Sequence, residues 1–258
     1  MKPDIDDLLK QVQERVKSSW QDVQDAANTT IRVEVAKGLA KAFLEQARPY
    51  EQNAELARLL DVGLIHKAAF IQKPPYLLQF YLRLLFAFAE APRRILEIGV
   101  KGGGSTALWK ALFPSATVIG LDIKLRRWLA STSDGVRYIE SDQTDTARLR
   151  QLAEEYGPFD LVIDDGSHRS EDQEITLRAL VRHVRPGGVF VIEDTHAAGG
   201  TFWGDFIASL GIRFRGGDKP DGAGAALAWD LSPRIDDLII SNRVIALRIG
   251  DKDHGPAS

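Results

Sequence analysis

RILEIGVKGGGS, Arg94 to Ser105, is the stretch on which the fold turns. Its first half is a short apolar run, and its second half is a glycine cluster opening into the helical pattern STALWKALF. Working outward, TVIGLDI (117–123), VRYIES (136–141), FDLVIDD (159–165) and GVFVIED (188–194) repeat the strand texture. Helical segments at 105–113, 145–156 and 171–184 separate most of them. Apolar strands alternating with helices predict a parallel sheet covered on both faces. RPGG (185–188) reads as a turn feeding the fifth strand, and TFWGDFIASLG as one more helix. DLIISNRVIALRIG (237–250) then reads as two strands joined tightly around Ser241-Asn242.

Five alternating strands followed by an antiparallel hairpin is the layout of a class I methyltransferase sheet, not of the purely parallel dinucleotide fold. The expected class is therefore α/β, Rossmann-like, with an N-terminal helical extension. That extension is residues 1–92, where Ile5, Leu8, Leu9, Val12 and Val16, then Ile31, Val35, Leu39, Phe43 and Leu44, recur at helical spacing. Pro74-Pro75 and Pro92 bound its last helix. These helices offer more apolar face than one sheet needs, so the segment is expected to be a cap or the surface of a homo-oligomer.

The charge balance excludes a general nucleic-acid binder: 33 Lys and Arg against 36 Asp and Glu give a net charge of −3. The absence of cysteine excludes disulfides, thiolate zinc sites and cysteine nucleophiles, and fits a cytoplasmic protein. MKPDIDDLLKQVQER is too acidic for a secretory signal. YLLQFYLRLLFAFAE (76–90) is short for a membrane span and contains Arg83, so no membrane partner is expected and the chain should be soluble.

Glycines after the first strand let the backbone turn sharply and approach a ligand, and the following helix offers N–H groups to an anion. Gly99, Gly102, Gly103 and Gly104 miss the second glycine of G-x-G-x-x-G, which argues against a nicotinamide dehydrogenase. Glu97 would repel a pyrophosphate. It suits a ligand bearing an ammonium group, such as the methionine end of S-adenosylmethionine. Asp122 ends the second strand, where an acid hydrogen-bonds ribose hydroxyls. Asp142 and Gln143 follow the third strand, where acid or amide can read an adenine amino group. Lys101, Ser105, Ile123 and Asp164 complete the expected cofactor-binding set.

DDGSH (164–168) and IEDTH (192–196) place acids directly after buried strands, which is costly unless something pairs with them. The fourth and fifth strands of this fold lie side by side, so Asp165, Glu193 and Asp194 are expected to converge. Three clustered carboxylates repel, and a hard divalent cation relieves that repulsion; all-oxygen ligation favours Mg2+, with Ca2+ and Mn2+ as the alternatives. His168 and His196 are the candidate bases, because a neutral imidazole is available near neutral pH.

LEIGVKGGGSTALWKALFPSATVIGLDI, SDQTD, GPFDLVIDDGSH and VRPGGVFVIEDTH together resemble the metal-dependent sugar O-methyltransferases of the mycinamicin and elloramycin types, over about residues 94–196. The related cephalosporin-hydroxylase-like proteins share the cofactor loop and the acid pair. The resemblance implies Mg2+ on Asp165, Glu193 and Asp194, with His168 as base. It makes residues 93–258 a methyltransferase domain using S-adenosylmethionine and Mg2+ to methylate a sugar hydroxyl of a natural product, a glycosylated antibiotic or a nucleotide-sugar. Where the family continues after IEDT with an aromatic Ser-Tyr-Trp segment, this chain reads HAAGGTFWGDF. The alternatives are a catechol- or phenol-type metal-dependent O-methyltransferase and a non-catalytic cofactor-binding subunit.

Overall fold

The apolar run that opens the quoted stretch forms β1 (Arg94–Ile98), with every residue after Arg94 buried. The computed structural model describes residues 92–127, 129, 135–195 and 202–251, together with Lys73, Leu77, Phe80, Tyr81 and Leu84. The remaining strands are β2 (Thr117–Asp122), β3 (Val136–Glu140), β4 (Phe159–Asp164), β5 (Val184–Glu193), β6 (Ile235–Ser241) and β7 (Val244–Ile249). They form one sheet of seven in the order β3-β2-β1-β4-β5-β7-β6. The expected α/β methyltransferase sheet is present: parallel through β5, then closed by an antiparallel hairpin.

The described residues fall into two compact units. One holds Val100–Glu140 with the described residues up to Arg93, and the other holds Arg94–Gly99 with Ser141 onward. In the first, β2 and β3 pair in parallel and α1 (Gly104–Leu112) carries the fully buried Trp109. Leu77, Phe80, Tyr81 and Leu84 are helical and buried, and the Tyr81 ring lies 4.9 Å from that of Trp109. The other helices expected before Pro92, and the oligomer surface assigned to them, lie outside the described residues.

In the second unit β4 is buried along its whole length between β1 and β5, as near-continuous apolar strands require. Around it run α2 (Thr146–Tyr156), α3 (Ser170–Leu180), α4 (Phe202–Phe214) and α5 (Ala223–Leu231). One expectation is corrected. RPGG does not precede the fifth strand but lies within it, because β5 starts at Val184 and its register with β4 shifts between Phe159 and Leu161. Gly187, at φ 76°, supplies the left-handed residue of this irregularity, and Arg185 pairs there with buried Asp160. Residues 223–231, within DGAGAALAWDL, form α5, a helix beyond those expected from the sequence. Its Gly224 is so close to α4 that a Cβ would lie 2.2 Å from the Phe202 carbonyl oxygen.

Among the described residues no helix is long and apolar enough to cross a membrane. Phe190 pairs across to Val162 of β4 and Leu247 of β7 and is fully buried. Phe190→Ala should therefore lower the unfolding free energy by about 3–5 kcal/mol, measured by urea denaturation.

Candidate functional site

Three carboxylates are buried at the ends of adjacent strands: Glu97 on β1, Asp164 on β4 and Glu193 on β5. The register pairs Glu97 with Ile163 and Asp164 with Ile192. Strand alternation therefore turns Glu97 and Glu193 to one face of the sheet and Asp164 to the other. They do not form one acidic cluster.

Asp164 is enclosed by hydrogen-bond donors. Gln143 Nε2 donates to its Oδ1 at 3.3 Å and to Thr176 Oγ1 at 3.2 Å, and the Gly166 amide donates to Oδ1 at 3.2 Å. Burial nevertheless dominates and pushes the Asp164 carboxyl up to about 7, with the Asp165 charge adding to the rise. The same glutamine accepts from the Ser167 amide through Oε1 at 2.7 Å. A Cβ on residue 166 would lie 2.1 Å from that Oε1, so only glycine lets the amide in. Gln143, expected beside adenine, thus has both ends of its carboxamide engaged in shaping the DDGSH turn.

Gly99 answers a similar need. At φ 85°, a Cβ there would lie 2.0 Å from the Asp165 carbonyl oxygen, while the Asp165 amide donates to the Ile98 carbonyl at 2.9 Å. The loops after β1 and β4 are stitched together at this point. The glycine is required by a protein neighbour before any ligand arrives.

The turn ends at His168, in left-handed backbone at φ 61°; Asp194, just past β5, is left-handed too at φ 51°. Between them they bring three side chains together. His168 Nδ1 lies 4.0 Å from Asp165 Oδ1, and its Nε2 lies 3.8 Å from Asp194 Oδ2. One ligand atom from each of Asp165, His168 and Asp194 falls within 4.8 Å of the others. Two hard oxygens at this spacing fit a divalent cation, and the imidazole beside them can serve either as a further ligand or as a base. Among the described residues this is the group with such spacing; Glu193, buried at the end of β5, is not in it. His196 lies outside the described residues.

The other expected positions stand as follows. The Lys101 amide donates to Asp122 Oδ2 at 2.8 Å and the Lys124 amide to Oδ1 at 3.1 Å, which orients that carboxylate at the end of β2. Ile123 beside it is 68% exposed, unusual for so large an apolar side chain. Gly102 precedes Gly103, the left-handed cap of α1 at φ 74°, and Ser105 is buried in the first helical turn. Asp142 is held below the usual carboxylate range by hydrogen bonds from the Thr144 amide and hydroxyl, both 2.8 Å. Periodicity overlooked Gln173, which is fully buried although it lies among charged residues in SEDQEI. Only a wider apolar face than the pattern suggested would have revealed it.

A family profile described as a methyltransferase domain matches residues 96–195. Mycinamicin VI 2''-O-methyltransferase of Micromonospora griseorubida is 43% identical over 120 residues, which is 44% of this chain and 29% of that protein. L-olivosyl-oleandolide 3-O-methyltransferase of Streptomyces antibioticus is 35% identical over 170 residues, 57% of this chain and 43% of the relative. The chain therefore spans less than half the length of these relatives. Among solved structures, MycE methyltransferase from the mycinamycin biosynthetic pathway, in complex with Mg and SAH, superposes with a TM-score of 0.61 at 30% identity, covering 75% of this chain and 54% of that one. The resemblance inferred from the motifs holds: the homologues are mycinamicin- and tetracenomycin-type sugar O-methyltransferases.

The raised Asp164 carboxyl predicts a pH dependence of stability. Ionising a group whose folded value lies above its unfolded value of 3.8 destabilises the fold. The penalty is absent below about 4, grows up to about 7 and is constant above it. In metal-free protein, wild type should lose stability relative to Asp164→Asn across that window, on the order of a few kcal/mol. Urea midpoints at a series of pH values measure it; a difference independent of pH would contradict the assignment.

Proposed function

We propose that this chain is a divalent-cation- and S-adenosylmethionine-dependent O-methyltransferase that acts on a sugar hydroxyl of a glycosylated small molecule. The observation that carries it is the convergence of Asp165, His168 and Asp194 at the ends of β4 and β5. These residues lie within the 96–195 span matched by the methyltransferase-domain profile, in a chain similar to sugar O-methyltransferases. Cytoplasmic location and assembly into a homo-oligomer through the segment before Pro92 belong to the same proposal.

Asp165 and Asp194 would hold the cation, with Glu193 behind them at the end of β5. The oriented carboxylate of Asp122 fits ribose hydroxyls, and the exposed face of Ile123 fits a flat apolar ring. Glu97, Gly99, Lys101, Gly102, Gly103, Ser105, Asp142, Gln143 and Asp164 complete the proposed cofactor set, the last two by shaping the loop. When bound, S-adenosylmethionine supplies an electrophilic methyl group, and the cation lowers the proton affinity of the acceptor hydroxyl.

His168 is the base. Its ring lies between two carboxylates, with Nδ1 4.0 Å from Asp165 Oδ1, and a neutral imidazole there can receive the hydroxyl proton. Asp194, 3.8 Å from Nε2, compensates the positive charge the ring then acquires. His196 is a second candidate for contact with the acceptor. An aliphatic alcohol is a weak acid, so base and cation are both required.

Methyl transfer from S-adenosylmethionine to a panel of glycosylated acceptors, followed by mass spectrometry, tests the proposal. Excess EDTA should abolish turnover and added Mg2+ restore it; undiminished turnover in EDTA removes the cation from the reaction. His168→Ala should lose about 10²- to 10⁴-fold in rate while still binding S-adenosylhomocysteine. A mild loss, with phenolic diols accepted instead, would point to the catechol-type reaction.

A further inference from the structure

The end of β5 is held by a side chain that the proposed chemistry does not use. Gln173 sits in the first turns of α3, the helix that starts two residues beyond His168, and is fully buried. A buried carboxamide is costly unless both its ends are paired. Here both are: Nε2 donates to the Glu193 carbonyl at 2.8 Å, and Oε1 accepts from Trp203 Nε1 at 2.8 Å.

The direction of the amide is not arbitrary. An indole nitrogen is only a donor, so Trp203 must face Oε1, and the amide hydrogens are left for Glu193. Trp203 is itself buried on α4, with the rings of Phe202 and Phe206 at 5.0 and 5.3 Å. Packing of the indole therefore decides which end of Gln173 points at the sheet.

The carbonyl that Gln173 holds belongs to the peptide plane joining Glu193 to Asp194. Because that plane is rigid, fixing its oxygen fixes the direction in which the chain leaves the strand. One residue further, the Thr195 amide donates to the Arg243 carbonyl at 3.1 Å, at the tip of the β6–β7 hairpin. Asp194 lies between these two anchors in left-handed backbone, which persists only where surroundings over-determine it.

We infer that Gln173, oriented by Trp203, is a positioning residue that aims Asp194 and the end of β5 at the cation site shared with the DDGSH loop. The inference rests on the cation reading proposed above. It adds that α3, which begins beside His168, and α4, which follows the IEDTH segment, set the geometry of the acids through one carboxamide.

The test is calorimetric titration of the full chain with MgCl2, for wild type, Gln173→Met and Trp203→Phe. S-adenosylhomocysteine titration and urea midpoints are recorded on the same samples. Gln173→Met keeps the length of the side chain and removes both hydrogen bonds; it should weaken Mg2+ binding by about 10- to 100-fold with cofactor-product affinity retained. Trp203→Phe frees the carboxamide to flip and should weaken Mg2+ by a smaller factor, again with S-adenosylhomocysteine affinity retained. It decides the matter if Gln173→Met does not fold. Mg2+ affinity equal to wild type in a folded variant overturns the assignment, as does a parallel loss of Mg2+ and S-adenosylhomocysteine affinity, the mark of a merely structural residue. Wild type that binds no Mg2+ overturns the cation reading and this inference with it, an outcome visible before any variant is made.

Discussion

Burying the Asp164 carboxyl at the end of β4 is the constraint from which the geometry of the acidic loop follows. A fully buried acid needs donors, and Gln143 and the Gly166 amide provide them. Admitting Gln143 requires glycine at 166, and its carbonyl oxygen then captures the Ser167 amide. The chain is turned so tightly that the next residue, His168, is left-handed. The imidazole faces Asp165 and Asp194 because Asp164, four positions earlier, had to be satisfied.

The loops at the strand ends are consequently built by protein–protein contacts that a ligand would find already in place. Gly99 approaches the Asp165 carbonyl, the Asp165 amide meets Ile98, Gln173 holds Glu193, and Arg243 holds Thr195. Preorganisation of this kind holds the carboxylates and the imidazole in position before any ligand binds. It also explains why left-handed non-glycine residues collect here: His168 and Asp194 carry strain that the surrounding hydrogen bonds sustain.

Motifs alone led to three converging acids, whereas the structure gathers two acids and a histidine. Adjacent positions on a strand point to opposite faces, and β5 runs to Glu193, which keeps that side chain in the buried sheet. Asp194 is the first residue free of the alternation. Which of two neighbouring acids reaches a site therefore depends on where the strand stops, and IED does not announce that boundary. Gln143 shows the same limit: its place after β3 suggested a base-reading amide, but its partners come from positions 21 to 33 residues away.

What the residues determined unaided was the alternation of strand and helix from Arg94, the closing hairpin, and the set of acids and histidine at strand ends, because these depend on local periodicity and on the cost of burying charge. Tertiary structure alone decided which of those groups meet. It placed the RPGG irregularity inside β5, added α5 beyond the helices that the pattern marked, and recruited Gln173 and Trp203 to the end of that strand. A hydrogen bond between residues 20 or 30 positions apart leaves no mark on the local pattern; it exists only once the sheet has brought its ends together.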